Sequence, residues 1–113
     1  MPNTFKNVHK RKVPASEVAA YTTGGSTTTI MLGMSICNVS DIDQTIDVRF
    51  NDTTSGTADS NKTYLVKDLD IPAESTIELF AGQKYVLETT DQIWIRASTA
   101  DTLDVFIGIM EIT

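Results

Sequence analysis

At 113 residues and 41% apolar content, the chain is of single-domain size and too apolar to be disordered. A chain this long buries roughly two-thirds of its unfolded surface, enough for one core without covalent staples. The lone cysteine, Cys37, excludes an intramolecular disulfide and a multi-thiolate zinc site, and it fits a chain made inside a cell.

The formal net charge of −6 is unevenly spread. Lys6, Lys10, Arg11 and Lys12 precede the first acid, Glu17, leaving five basic against fifteen acidic residues, a net of −10, in the rest. Residues 1–14 show no sustained period and end at Pro14, which predicts an extended basic arm preceding a domain over 15–113. Val13-Pro14-Ala15-Ser16-Glu17 stands where a secretory leader would need its apolar segment, and no apolar run has the length of a membrane helix. A soluble chain with no membrane partner is expected.

Val18 to Thr22 is a short candidate strand, broken by Gly24-Gly25. Thr27 to Asn38 alternates strictly and opens on β-branched residues, which argues for a strand. Strict alternation places Thr28, Ile30, Leu32, Met34 and Ile36 on one face, and Thr29, Met31, Gly33, Ser35 and Cys37 on the other. Asn38 to Gln44 has turn composition. In the next strand, Thr45 to Phe50, Ile46, Val48 and Phe50 are expected inward, Asp47 and Arg49 outward. Asn51 to Asn61 is the longest polar loop, expected at an exposed tip, and Lys62 to Lys67 follows as a strand.

From Tyr64 onward the chain reads as short strands separated by turns at Ile71-Pro72-Ala73, Ala81-Gly82-Gln83, Thr89 to Gln92 and Ser98 to Asp101. Apolar side chains alternate at Ile77 and Leu79, at Tyr85 and Leu87, at Ile93, Ile95 and Ala97, and at Leu103, Val105, Ile107 and Ile109. About eight strands at this spacing predict an all-β fold, a single antiparallel β-sandwich or jelly roll.

The last strand is apolar on both faces, since Phe106, Gly108, Met110 and Ile112 lie opposite the inward set. Three readings account for this: a second chain covers the outer face, the arm covers it, or the strand lies central in a thick core. The first makes the protein a homo-oligomer or part of a larger assembly.

Residue chemistry offers no catalytic constellation. His9, the only histidine, lies in the arm, where a general base is not held against a nucleophile. Asp41 with Asp43 and Asp68 with Asp70 lack the spacing of a calcium loop and read as solvated turn carboxylates. Gly24-Gly25 lacks the lysine and helix of a phosphate loop. Four arm cations give only weak, salt-sensitive contact with a phosphate backbone, and the acidic body repels it. No enzyme, metal or cofactor, and no nucleic-acid partner, is expected. The candidate contact residues are Phe5, Lys6, Lys10, Arg11 and Lys12 in the arm, docking on an acidic protein surface, together with Trp94, Phe106 and Met110. A carbohydrate-binding module using Trp94 with Tyr64 or Tyr85 is the alternative.

Several short pieces of the chain are similar to one family. They are Asn3-Thr4-Phe5-Lys6-Asn7, Tyr21-Thr22, Thr27-Thr28-Thr29-Ile30 with Gly33 and Asn38, Asp47-Val48, and Tyr64-Leu65-Val66-Lys67-Asp68. Further on stand Ile71-Pro72-Ala73, Gln83-Lys84, Val86-Leu87-Glu88, Asp91, Ile93, Asp104-Val105 and Glu111-Ile112-Thr113. Together they resemble small virion structural proteins of tailed bacteriophages, of the marine-phage type. The resemblance implies a non-enzymatic, multi-copy β-sandwich made in the host cytoplasm and attached to the virion. Its partners would be capsid, neck or tail proteins. The Lys10-Arg11-Lys12 run and the Trp94 strand depart from the pattern.

Overall fold

A computed structural model describes residues 3–52, 62–80 and 83–113. Nine strands occur in these residues, and no helix: β1 Asn3–Lys10, β2 Val18–Thr22, β3 Thr28–Asn38, β4 Gln44–Asn51, β5 Lys62–Ile71, β6 Thr76–Glu78, β7 Tyr85–Leu87, β8 Gln92–Ala97 and β9 Leu103–Ile112. Residues 53–61 of the expected loop tip, and Ala81-Gly82 of the expected turn, lie outside the described residues.

The pairing is that of one long hairpin rolled up. β4 pairs with β5 at the closed end; β3 pairs with β6 and β7, β2 with β8, and β1 with β9, all antiparallel. Rolling this ribbon brings β9 beside β3 and β8 beside β4. The result is a sheet of order β1-β9-β3-β6, with β7 also on β3, and a second of order β2-β8-β4-β5. This is a jelly roll. Its shortest dimension, 21 Å, accommodates two sheets about 10 Å apart with side chains on both outer faces.

The period-2 pattern supplies the core. Ile107 and Ile109 from β9, Ile93 and Ile95 from β8, Ile46 and Val48 from β4, and Met31, Met34 and Ile36 from β3 are all essentially inaccessible. Removing any one large side chain here would cost about 2–5 kcal/mol, since neighbours close the resulting cavity only in part.

β3 departs from strict alternation. A register shift between Met31 and Gly33 inserts Leu32 as an extra residue against β9. Thr29 and Met31 therefore point inward before the bulge, and Met34, Ile36 and Asn38 after it. Ile30 consequently does not share a face with Met34.

The basic N-terminal segment is a strand of the sheet rather than a free arm: Asn3 to Lys10 match Ile112 to Val105 without interruption. Beyond it Val13 is fully buried; its N–H donates to the Leu103 carbonyl (2.9 Å), and Pro14 accepts from the Ala97 N–H (3.0 Å). A β-branched apolar residue closing the end of the core accounts for its burial.

Asn38, expected where the strand ends and the turn begins, is fully buried at the end of β3. Its amide nitrogen donates to the carbonyls of Ile42 and Ile71, each at 2.9 Å. Its oxygen accepts from the Ser40 N–H and hydroxyl. One side chain thereby joins the backbone of the 38–42 turn to the end of β5.

Candidate interaction surface

The register across the first sheet assembles its outer face in rows. Phe5 stands opposite Met110, Met110 opposite Ile30, and Ile30 opposite Val86, an apolar row crossing four strands. Two steps along, His9 faces Phe106 and Phe106 faces Ser35. Between these rows Asn7, Gly108 and Gly33 are aligned. The two glycines lack side chains, and a Cβ added to either would meet nothing within 4 Å, so the middle row is an open trough. Phe5 is 72% exposed, Val86 60% and Phe106 50%, among the most exposed large apolar side chains described. A shallow groove of about 280 Å³ flanks Phe106 on the side of His9, Arg11, Cys37 and Asp104. Another of about 310 Å³ lies toward Leu32, Gly33, Glu78 and Gly108.

Three of the expected contact residues, Phe5, Phe106 and Met110, thus come together on one face, with Arg11 at its margin. Lys6 belongs to the opposite face of β1. Its ammonium lies 2.9 Å from the Glu111 carboxylate, which also accepts a 2.6 Å hydrogen bond from the Tyr21 hydroxyl of β2. Tyr21 contacts Thr29 Oγ1 at 2.7 Å as well, so this cluster ties the two sheets together at their β1–β2 edge. Burial first, and then the bond to Glu111, push the Tyr21 pKa up to about 12. The bonds from Tyr21 and Lys6 hold the Glu111 carboxyl below its ordinary value. Lys10 is half-buried opposite Val105. Lys12 is an exposed left-handed residue (φ 54°) whose N–H donates to Asp104.

Trp94 lies elsewhere, on the outer face of the second sheet, aligned with Arg49 and Tyr64. The buried charges of that face are paired within the chain. Arg49, only 5% exposed, donates to Glu17 at 2.6 and 3.3 Å and to Asn51 at 3.1 Å, and its guanidinium sits 4.9 Å from the Trp94 ring centroid. The bond from Arg49 lowers the Glu17 pKa. Asp47, also 5% exposed, pairs with Arg96 (3.1 Å) and Lys67 (3.7 Å) and accepts the Asp68 N–H (2.8 Å). Asp47 and Arg49 point outward as expected, yet they are buried, because neighbouring strands cover them from the sides. Tyr85 does not join Trp94. It belongs to β7 of the other sheet, with its ring against Phe80 at 4.6 Å.

No group of three or more His, Cys, Asp or Glu side chains among the described residues is placed to hold a metal ion. His9 faces Phe106 while Cys37 faces Asp104, one row further along, and the Asp104 carboxylate is engaged by a backbone N–H. Sequence reading missed Ile30, Leu32, Val86 and the glycine trough. Leu32 and Val86 were visible as apolar residues, but their convergence with Phe5 depends on the β3 bulge and the roll.

No protein family and no curated protein matches this chain by sequence. Solved structures do. A chain from the disulfide-linked pili of Bacillus endospore appendages superposes with a TM-score of 0.54 and 16% identity, covering 98% of this chain and 88% of that one. A chain of the T13 particle of infectious bursal disease virus gives 0.56 at 6% identity, and one from the Gx strain 0.57 at 10%. Both cover 96% of this chain but only about a third of the viral chains (30% and 32%). What is shared is the fold. At these identities the likeness extends no further.

Proposed function

We propose that this chain is a non-enzymatic structural subunit of a virion. In its sharpest form, it is an oligomeric jelly roll that decorates or cements a tailed-phage capsid or joins neck and tail proteins. The observation that carries the reading is the outer face of the first sheet, where Phe5, Met110, Ile30 and Val86 form a row, Phe106 stands proud, and the glycine trough lies between. Exposed aromatic side chains with a half-buried methionine around a depression are the composition of a protein contact. Arg11 and Lys12 at its margin would favour an acidic neighbour and speed encounter with it. The jelly-roll likeness to chains of virus particles supports the reading. The likeness to a pilus chain supports a second version, a repeated subunit of a surface appendage, because it extends over 88% of that chain.

The carbohydrate-binding alternative has less support, since the Arg49 guanidinium already covers one face of the Trp94 ring.

Quantitative mass spectrometry of purified particles tests the proposal. Near-stoichiometric copy number relative to the major capsid protein supports decoration or cementing, a small fraction supports neck or tail, and absence overturns the virion reading. Gly108→Val, which fills the trough without touching the core, is expected to reduce incorporation while leaving the melting temperature unchanged or slightly raised.

A further inference from the structure

The jelly roll leaves several strand edges, and β1 differs from the rest. β2 has five residues and a register shift between Ala19 and Tyr21. β5 pairs with β4 through two register shifts and carries left-handed Asp68. β6 and β7 have three residues each. Shortness and bulges are the ordinary devices that keep edges from pairing with other chains. β1 has neither: eight residues match β9 without interruption, and no described residue pairs with its other side.

We propose that β1 is a pairing edge, along which a second copy of this chain adds its own β1 antiparallel about a two-fold axis at Asn7. The proposal rests on the multi-copy reading above and names its contact. A two-fold axis perpendicular to the sheet keeps both outer faces on the same side, so it must pair residues of like parity. Centring on Val8 would set Lys6 against Lys10, a like-charge pair, and centring on Phe5 shortens the overlap. Centring on Asn7 sets Phe5 opposite His9 of the second copy, Lys6 opposite Val8, and Thr4 opposite Lys10, with no like charges facing.

The surroundings agree with this register. Lysines on an edge normally oppose pairing, but Lys6 is already neutralised by Glu111 within its own chain. Lys10 would lie in line with Thr4 and then Glu111 of the second copy, because Thr4 pairs with Glu111. Its long side chain would add a cation to that carboxylate. On the outer face, Phe5 is flanked by Met110 on one side only. His9 of the second copy covers the other side and joins the two apolar faces into one surface. Such an isologous contact is self-complementary and closes as a dimer.

The test uses the full chain in a Cys37→Ser background with single cysteines at position 5, 7 or 9, alongside sedimentation velocity of the unaltered protein across concentration. Across either kind of antiparallel pair the two position-7 Cα atoms stand about 4.5–5.5 Å apart, within disulfide reach. Like residues at position 5 or 9 stand about 14 Å apart. Expected are a concentration-dependent dimer and, on mild oxidation, about tenfold more cross-linked dimer from Asn7→Cys than from Phe5→Cys or His9→Cys alone. Mixing the last two should restore cross-linking. A monomer at every concentration, or a maximum at position 5 or 9, overturns the proposal. If particles incorporate the chain while it remains monomeric in solution, this contact fails and the virion reading stands. Cross-linking by a chain absent from particles gives the converse.

Discussion

The two outer faces of this jelly roll solve the same problem in opposite ways. Each sheet has a central strand pair whose outward side chains are crowded by neighbours. On the second sheet those side chains are Asp47 and Arg49, each 5% exposed, and their charges are met by Glu17, Arg96, Lys67 and the Trp94 ring. On the first they are Phe106, Gly108 and Met110 with Ile30, apolar or absent, with Phe106 50% exposed and Met110 and Ile30 half-buried. A face whose buried charges are already paired within the chain gains little from a partner. A face of exposed apolar groups gains free energy when covered, by roughly 25 cal/mol per Å² of apolar surface removed from water. This difference is why the proposed contact surface is placed on the first sheet.

Four measurements probe this contrast between the two faces. The largest effect is expected across the two sides of β9 itself. Ile107→Ala, on the buried side, should cost about 3 kcal/mol and lower the melting temperature by some 15 °C, as read by thermal unfolding. Next, Arg49→Ala should destabilise by about 2 kcal/mol in a denaturant titration, because it leaves Glu17 and Asn51 without their partner. Glu17, a third exposed, keeps water as a substitute, which holds the loss below that of a fully buried pair. A loss within error would mean the second face is not held by its charges.

The third concerns pH. Glu17 and Glu111 have folded-state pKa values below the ordinary carboxylate value, so their contribution is complete above about pH 4.5 and is lost as pH falls through the lowered values. Asp91, raised chiefly by burial, runs the other way and offsets part of that acid loss. Tyr21 has a raised value, so its contribution is complete below pH 10 and is lost as pH rises toward about 12. Tyr21→Phe should cost about 1 kcal/mol at neutral pH and flatten the alkaline limb of a melting-temperature profile. An unchanged alkaline limb would remove the Tyr21–Glu111 tie from the account. The smallest effect on folding is expected for Phe106→Ser, within about 0.5 kcal/mol, together with reduced self-association or particle incorporation. A large stability loss there would show that Phe106 serves the core.

The strands were legible because period 2 is a local property. Ile93, Ile95 and Ala97, or Leu103 through Ile109, declare a buried face without reference to anything distant. The first strand was not legible. Asn3 to Lys10 carries lysines and a histidine with only Val8 packed against the hydrophobic core, so its strand character comes from β9, about a hundred residues away in sequence. The bulge at Leu32 was equally hidden, since an extra residue in one strand is defined only against its partner.

By itself the sequence determined the fold class, most strand positions, the inward residues of β4, β8 and β9, and the two-faced character of the last strand, all consequences of side-chain alternation. Only the tertiary structure decided that the ribbon rolls, that β1 is an edge strand, that Arg49 and Asp47 are buried while facing outward, and that Phe5, Ile30, Val86 and Met110 share a row. These depend on register between segments far apart in the chain, and register is set by the sum of all contacts.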